Sequence, residues 1–188
     1  MAAWSYFSAT VVTGATSVVD GSGLASKIYF PRAVLPLVSV RSNLYSLPIM
    51  IGIVLIMALA FGVGLDVSAL LLVPGVILLI WLSTALALTL SALHVYFRDV
   101  RYFVQATFTA LIYCTPIFLP LAIYPPGFRG FVLANPLTGV VEIFRLAIGG
   151  ADDQWAVAVG ASVGWAVVLS ISAVYLHCRR DRVFVDLL

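Results

Sequence analysis

Long uncharged stretches and short charged segments alternate along this chain. The ten basic and eight acidic residues all lie outside five uncharged stretches. These stretches cover residues 2–19, 42–65, 67–97, 102–128 and 154–178. A helix that crosses the hydrocarbon core of a bilayer needs about 20 apolar residues, at about 1.5 Å rise per residue. The pattern therefore predicts an all-α fold, a polytopic integral membrane helical bundle.

Four of the stretches predict full membrane spans, with cores at 44–64, 69–91, 103–123 and 155–176. They are too long and too evenly apolar to be helices of a soluble core. The first stretch, residues 2–19, is a weaker span because it contains seven Ser, Thr and Gly residues. Such residues suit a helix that packs closely against other helices, and the alternative is a polar lining for a pathway.

Composition agrees with a membrane protein. Hydrophobic residues make up 63% of the chain and charged residues 10%, whereas a soluble domain has about a quarter of its residues charged. The net charge of +2 is too small to indicate a nucleic-acid partner. The two cysteines predict no disulfide framework.

The distribution of basic residues predicts the orientation. With five spans, segments 20–41, 98–101 and 179–188 share one side and together carry eight Lys and Arg, while the other side carries only Arg129 and Arg145. Positive charge marks the cytoplasmic side, so the C-terminus is expected there. The first residue is then outside with no cleavable signal before it. We therefore expect this sequence to be the C-terminal part of something larger.

Residues 124–153 predict an outer region with one short helix. Asn135 is a helix-capping residue, Pro136 suits a first helical position, and Gly149-Gly150 can end a helix. A helix of about 13 residues covers only about 20 Å, too little to span. It is expected to enter the outer leaflet and return, or to lie across the extracellular mouth.

The sequence contains no pattern for catalysis or metal binding. A P-loop is absent, because the only lysine, Lys27, follows Ser26. The histidines are isolated, so no metal site is predicted. The spans also carry no Asp, Glu, Lys or Arg at their middles, which disfavours an ion-coupled carrier. Energy for transport would have to come from a partner.

Three stretches resemble a known family: GLASKIYFPRAVLPL (23–37), SALHVYFRDVRYF (91–103) and NPLTGVVEIFRLAI (135–148). Their order and their positions relative to the spans resemble the permease subunits of type-2 ABC exporters, especially those that export polysaccharide, O-antigen and teichoic acid. That family has six spans and an N-terminal interfacial helix. This sequence lacks the counterparts of that helix and of the first span. Either its start is internal to a longer protein or the gene is truncated.

The resemblance gives the cytoplasmic charges an expected role. In such permeases, the loop between spans two and three docks into a cleft of the ATPase subunit. The residues that match this coupling segment are Gly23, Leu24, Lys27, Phe30, Pro31 and Arg32. The next cytoplasmic connection, with Arg98, Asp99 and Arg101, is expected near the same surface. The alternative is that its two arginines only set topology and contact lipid phosphates.

The resemblance also implies an outer gate and a channel. The residues that match the gate helices are Asn135, Pro136, Glu142 and Arg145. A plain interfacial amphipathic helix is the alternative. The aromatic residues that could line a channel, because sugar C–H faces stack on aromatic rings, are Trp4, Tyr6, Phe7, Phe108 and Tyr113. Packing between helices is the alternative for these residues.

The sequence therefore predicts a permease subunit that forms a homodimer and binds two copies of a separate ATP-binding-cassette ATPase. ATP and Mg²⁺ would bind to that ATPase, and no cofactor is expected in this chain. The substrate would be a lipid-linked glycan, exported across a bacterial plasma membrane and in contact with membrane lipids. The alternatives are an exporter of a drug, antibiotic or lipid, a membrane-bound glycosyl or acyl transferase using His94, Asp99 or Glu142, and an inactive remnant.

Overall fold

Helices form the regular structure of the chain. The computed structural model describes residues 1–21, 23, 31–62, 67–150 and 152–180, and these contain no strand. Their α-helices are α1 (Ala2–Asp20), α2 (Val34–Leu44), α3 (Ser46–Ala60), α4 (Leu72–Tyr96), α5 (Val100–Cys114), α6 (Pro126–Ala134), α7 (Thr138–Ala147) and α8 (Trp155–Arg180). Two 3₁₀ turns cover Val67–Leu71 and Leu121–Ile123. The predicted all-α membrane bundle is confirmed.

Three helical segments of the described residues are long and apolar enough to cross a membrane. They are Val34–Ala60, which joins α2 and α3, then Val67–Tyr96 and Trp155–Cys178. A fourth is obtained if α6 and α7, bent by 89° at a short break, count as one broken span. Helix α1, rich in hydroxyl residues, and the 15-residue helix α5 do not reach that threshold. The total of five spans stays a prediction.

Two helix boundaries differ from those expected. Helix α5 ends at Cys114, inside the stretch 103–123, and Thr115 has the extended dihedrals φ −97° and ψ 136°. Residues that precede proline disfavour the α conformation, so Pro116 accounts for this early end. Helix α2 begins at Val34, inside the segment 20–41. The end of that segment is therefore helical and belongs to the candidate span Val34–Ala60.

Helix α4 lies at the centre, with α1 and α8 packed against it. Small residues bring α1 and α4 together, because a Cβ added at Gly14 would lie 2.7 Å from Cβ of Ala87. Close approach of backbones through small residues is the usual packing mode of membrane helices. Helix α3, in contrast, leaves Ile49, Ile53 and Ile56 exposed. This apolar face suits contact with lipid or with another membrane helix.

Candidate functional site

At the end of the bundle that the sequence predicts to be outer, α6 and α7 form a bent pair that the sequence predicted only in part. Helix α6 was missed because Tyr124-Pro125-Pro126-Gly127 resembles a helix breaker. Pro126 instead occupies the first helical position, where a missing N–H costs nothing. The polypeptide follows α6, turns by 89° at Asn135 and Pro136, and continues along α7.

Asn135 holds the bend by hydrogen bonds in two directions. Its Oδ1 accepts a bond of 3.0 Å from the backbone N–H of Leu137, and its Nδ2 donates one of 2.9 Å to Oγ1 of Thr115. Helix α7 begins at Thr138, so the prediction that Pro136 is the first helical residue is wrong. The bend is thus tied to the end of α5, a connection that sequence spacing does not reveal.

The end of α7 agrees with the sequence prediction. Gly149 has φ +82°, a left-handed conformation that glycine adopts without steric cost. The Gly149 N–H donates to the Leu146 carbonyl at 3.1 Å, and the Gly150 N–H donates to the Arg145 carbonyl at 2.9 Å. This pair of bonds is the Schellman motif, which satisfies the last carbonyls of a helix. Gly149-Gly150 therefore ends α7 as predicted.

Glu142 and Arg145 form an ion pair on one side of α7. Nη1 of Arg145 lies 3.0 Å from Oε1 of Glu142, whose side chain is 0% exposed. Oε2 of Glu142 accepts a 3.2 Å bond from the Asp152 N–H, while Nη2 of Arg145 donates to the carbonyls of Pro116 and Leu119. We call these two side chains and their backbone partners the outer latch. It joins α7 to the segments after α5 and before α8.

Helix α7 also approaches its neighbours very closely. A Cβ added at Gly139 would lie 2.4 Å from the Ala158 carbonyl oxygen and 2.5 Å from Oγ of Ser162. The Gly139 N–H donates a 3.0 Å bond to the same Ser162 hydroxyl. On the other flank, a Cβ added at Gly75 would lie 2.7 Å from the Phe144 ring. Helix α7 therefore packs closely between α4 and α8, with no room for larger side chains at Gly75 or Gly139.

At the opposite end, the predicted coupling segment is only partly described. Leu24, Lys27 and Phe30 lie outside the described residues, and Gly23 is exposed. Pro31 is exposed, whereas Arg32 is only 9% exposed. The carbonyls of Pro31 and Arg32 accept bonds of 3.0 and 3.1 Å from Val34 and Leu35. These bonds form the turn that leads into α2.

The charged loop between α4 and α5 lies at this same end. An apolar cluster that includes Val18, Leu35, Val95 and Leu176 brings together the end of α1, the start of α2 and the ends of α4 and α8. The loop side chains, Arg98, Asp99 and Arg101, are all exposed. None of them forms an ion pair with another described residue. The two predicted coupling segments therefore approach one surface, which we call the inner face.

The predicted channel aromatics separate into two groups. Trp4, Phe7 and Phe108 pack together, with Phe7 and Phe108 stacked at 5.4 Å between ring centroids. Trp4 lies 5.9 Å from Phe108, and Tyr6 is also buried. Tyr113 on α5 is 73% exposed. Tyr6 and Phe7 are buried between helices, whereas Trp4, Phe108 and Tyr113 line a common groove of about 300 Å³.

The apolar helices are those of a multi-pass membrane protein. The family described as "ABC-2 type transporter" matches residues 1–148. The chain belongs to this family, as its sequence motifs predicted, and it is a multi-pass membrane protein.

Two relatives illustrate the relationship. An O-antigen export system permease protein RfbA of Myxococcus xanthus is 33% identical over 146 residues, which cover 76% of this chain and 55% of the relative. A protein of the same name from Klebsiella pneumoniae is 24% identical over 143 residues, with the same two shares of 76% and 55%. The chain thus spans about half the length of the curated relatives it matches.

Proposed function

We propose that this chain is the membrane subunit of a bacterial exporter that moves a polysaccharide, joined to a lipid carrier, outward across the plasma membrane. A separate ATP-binding-cassette ATPase would supply the energy, and two copies of each subunit would form the transporter. Family membership and the names of the O-antigen relatives support this substrate class. The C-terminus would face the cytoplasm, as the basic residues predict.

The observation that carries the proposal is the outer latch. A fully buried carboxylate paired with an arginine is costly to desolvate, so such a pair at a membrane surface suits an element with a task beyond packing. The ion pair belongs to the bent α6–α7 pair and closes onto the end of α5. In the proposed cycle, α7 is the outer gate, and a shift of α5 relative to α8 would release it.

In the proposed cycle, the ATPase acts on the inner face. The ATPase would contact the segment around Pro31 and Arg32 and the loop with Arg98, Asp99 and Arg101. Binding and hydrolysis of ATP would move this surface as a rigid body, because packed helices shift between discrete arrangements rather than deforming continuously. Helix α5 begins next to Asp99, and shortly after its end the Pro116 carbonyl accepts a hydrogen bond from Arg145 of the outer latch. Helix α5 therefore connects the proposed ATPase-binding surface to the proposed gate.

The proposal is tested by separating export from assembly. In the source bacterium, the native full-length protein would be replaced by the double variant Pro31→Ala, Arg32→Gln. We expect a loss of surface polysaccharide with an unchanged amount of protein in the membrane. The exposed neighbour Val34→Ala is the matched control and should support export. Normal surface polysaccharide from the double variant would contradict coupling through this segment.

Deletion of the whole gene tests the substrate class separately. If surface polysaccharide is unchanged while resistance to a drug or antibiotic falls, the transporter exports a different class of molecule. Loss of the polysaccharide with unchanged resistance supports glycan export.

A further inference from the structure

An arginine inside a membrane-spanning segment has no partner among the described residues. Arg41 lies seven residues after Val34, the first residue of the candidate span Val34–Ala60, which is about 10 Å along a helix. Its side chain is exposed, and it forms no hydrogen bond or ion pair with the part of the chain described here. An arginine this near the end of a span can extend its guanidinium to the headgroup region.

An apolar groove begins beside this arginine. It lies between the α2–α3 segment and α4, has a volume of about 430 Å³, and is lined by Arg41, Leu44, Tyr45, Pro48, Ile51 and Val76. From Arg41 to Ile51 it follows ten residues of helix, or about 15 Å. The hydrocarbon core of a bilayer is about 30 Å thick. The groove therefore has the length of one leaflet, with its positive charge at the end nearer the inner face.

We propose that this groove binds one anionic phospholipid of the cytoplasmic leaflet. An acyl chain lies along Leu44, Pro48 and Ile51, and the guanidinium of Arg41 binds the phosphate of the headgroup. Long arginine side chains extend from apolar depth toward the headgroup region, and guanidinium groups bind phosphate in bidentate geometry. The cytoplasmic leaflet of many membranes is rich in anionic lipids. This inference rests on the proposed orientation, with the inner face at the cytoplasm, and does not depend on the exported substrate.

A second groove of the same protein serves as an internal reference. It lies between α4 and α8, has a volume of about 340 Å³, and is lined by residues such as Trp81, Ala173 and His177. No arginine or lysine is among the described residues that line it. Arg41 lies outside this groove, so substitutions of Arg41 should not change its labelling by either lipid.

The test uses photoactivatable lipids with a diazirine in the acyl chain. The full-length protein would be placed in lipid nanodiscs containing either photoactivatable phosphatidylglycerol or photoactivatable phosphatidylcholine, and labelled peptides would be located by mass spectrometry. We expect at least threefold more labelling of residues 44–51 by phosphatidylglycerol than by phosphatidylcholine. Arg41→Gln should abolish this difference, and Arg41→Lys should retain part of it. Arg129→Gln, which removes a positive charge on α6 at the opposite end of the bundle, should leave it unchanged.

Labelling of the α4–α8 groove reports that each variant is folded, since it should be the same in the Arg41 variants as in the unchanged protein. Three results would overturn the proposal. Equal labelling of residues 44–51 by both lipids would show that Arg41 does not select the headgroup. Absence of labelling there would show that protein covers the groove. Displacement of phosphatidylglycerol by an equimolar polyprenyl phosphate would show that a carrier lipid, not a phospholipid, is the occupant.

Discussion

The two ends of this bundle treat their charged side chains in opposite ways. At the outer end, Glu142 is completely buried, and both it and Arg145 are bonded to backbone groups as well as to each other. At the inner face, Arg98 and Arg101 are exposed and form no ion pair with any described residue. The paired charges lie next to one end of α5 and the exposed charges lie next to the other, so this helix connects the two sets.

This difference shows which charges hold the fold and which are available to another molecule. A buried ion pair that loses one member leaves an unpaired charge in a medium of low dielectric constant. Exposed charges, in contrast, contribute little to stability and much to the rate and selectivity of association. We therefore expect substitutions at the outer latch to affect folding and substitutions at the inner face to affect partner binding.

The largest loss of stability is expected when one member of the outer latch is removed. Glu142→Leu leaves the Arg145 guanidinium without its carboxylate and should lower the free energy of unfolding by about 3–5 kcal/mol. Chemical denaturation in detergent micelles measures this change. The double variant Glu142→Leu, Arg145→Leu removes both charges and should recover much of the loss. An equally large loss in the double variant would show that the ion pair itself is not the source of the effect.

A second loss is expected from the aromatic cluster near the outer end. Phe7 is 0% exposed and stacks on Phe108, so Phe7→Ala should leave a cavity and cost about 3 kcal/mol of unfolding free energy. Tyr113→Ala is the matched control, because that exposed ring packs against little of the chain, and its change should be within about 0.5 kcal/mol. If the two substitutions have the same effect on stability, Phe7 does not pack as described.

A smaller loss is expected where α7 meets α8. Gly139→Ala would place a methyl group against the Ala158 carbonyl, and relieving that overlap should cost about 1–3 kcal/mol. Gly160 on the facing helix has no atom within 4 Å of an added Cβ. Gly160→Ala should therefore be neutral or slightly stabilising, since alanine favours helix more than glycine. The midpoints of thermal unfolding of both variants measure this difference. Equal midpoints would contradict the close approach of α7 to α8.

The sequence predicted the parts of the site that depend on neighbouring residues. Gly149-Gly150 indicated the end of α7 because helix termination is a local effect, whereas α7 begins at Thr138 and not at the predicted Pro136. Helix α6 and the early end of α5 were not predicted, since proline both starts and stops helices and its neighbours decide which. Contacts such as Asn135 with Thr115, or Gly139 with Ser162, join distant segments. They depend on tertiary packing, which a single sequence does not specify.

The exposed charges of the inner face should have the smallest effect on stability and the largest effect on partner binding. The measurement that tests this directly is co-purification of the ATPase with the tagged full-length protein in mild detergent. We predict that Arg98→Gln, Arg101→Gln changes the unfolding free energy by less than about 0.5 kcal/mol and reduces the bound ATPase several-fold. The double latch variant Glu142→Leu, Arg145→Leu should retain its ATPase. Full retention of the ATPase by the inner-face variant, or its loss from the latch variant, would contradict this division of roles.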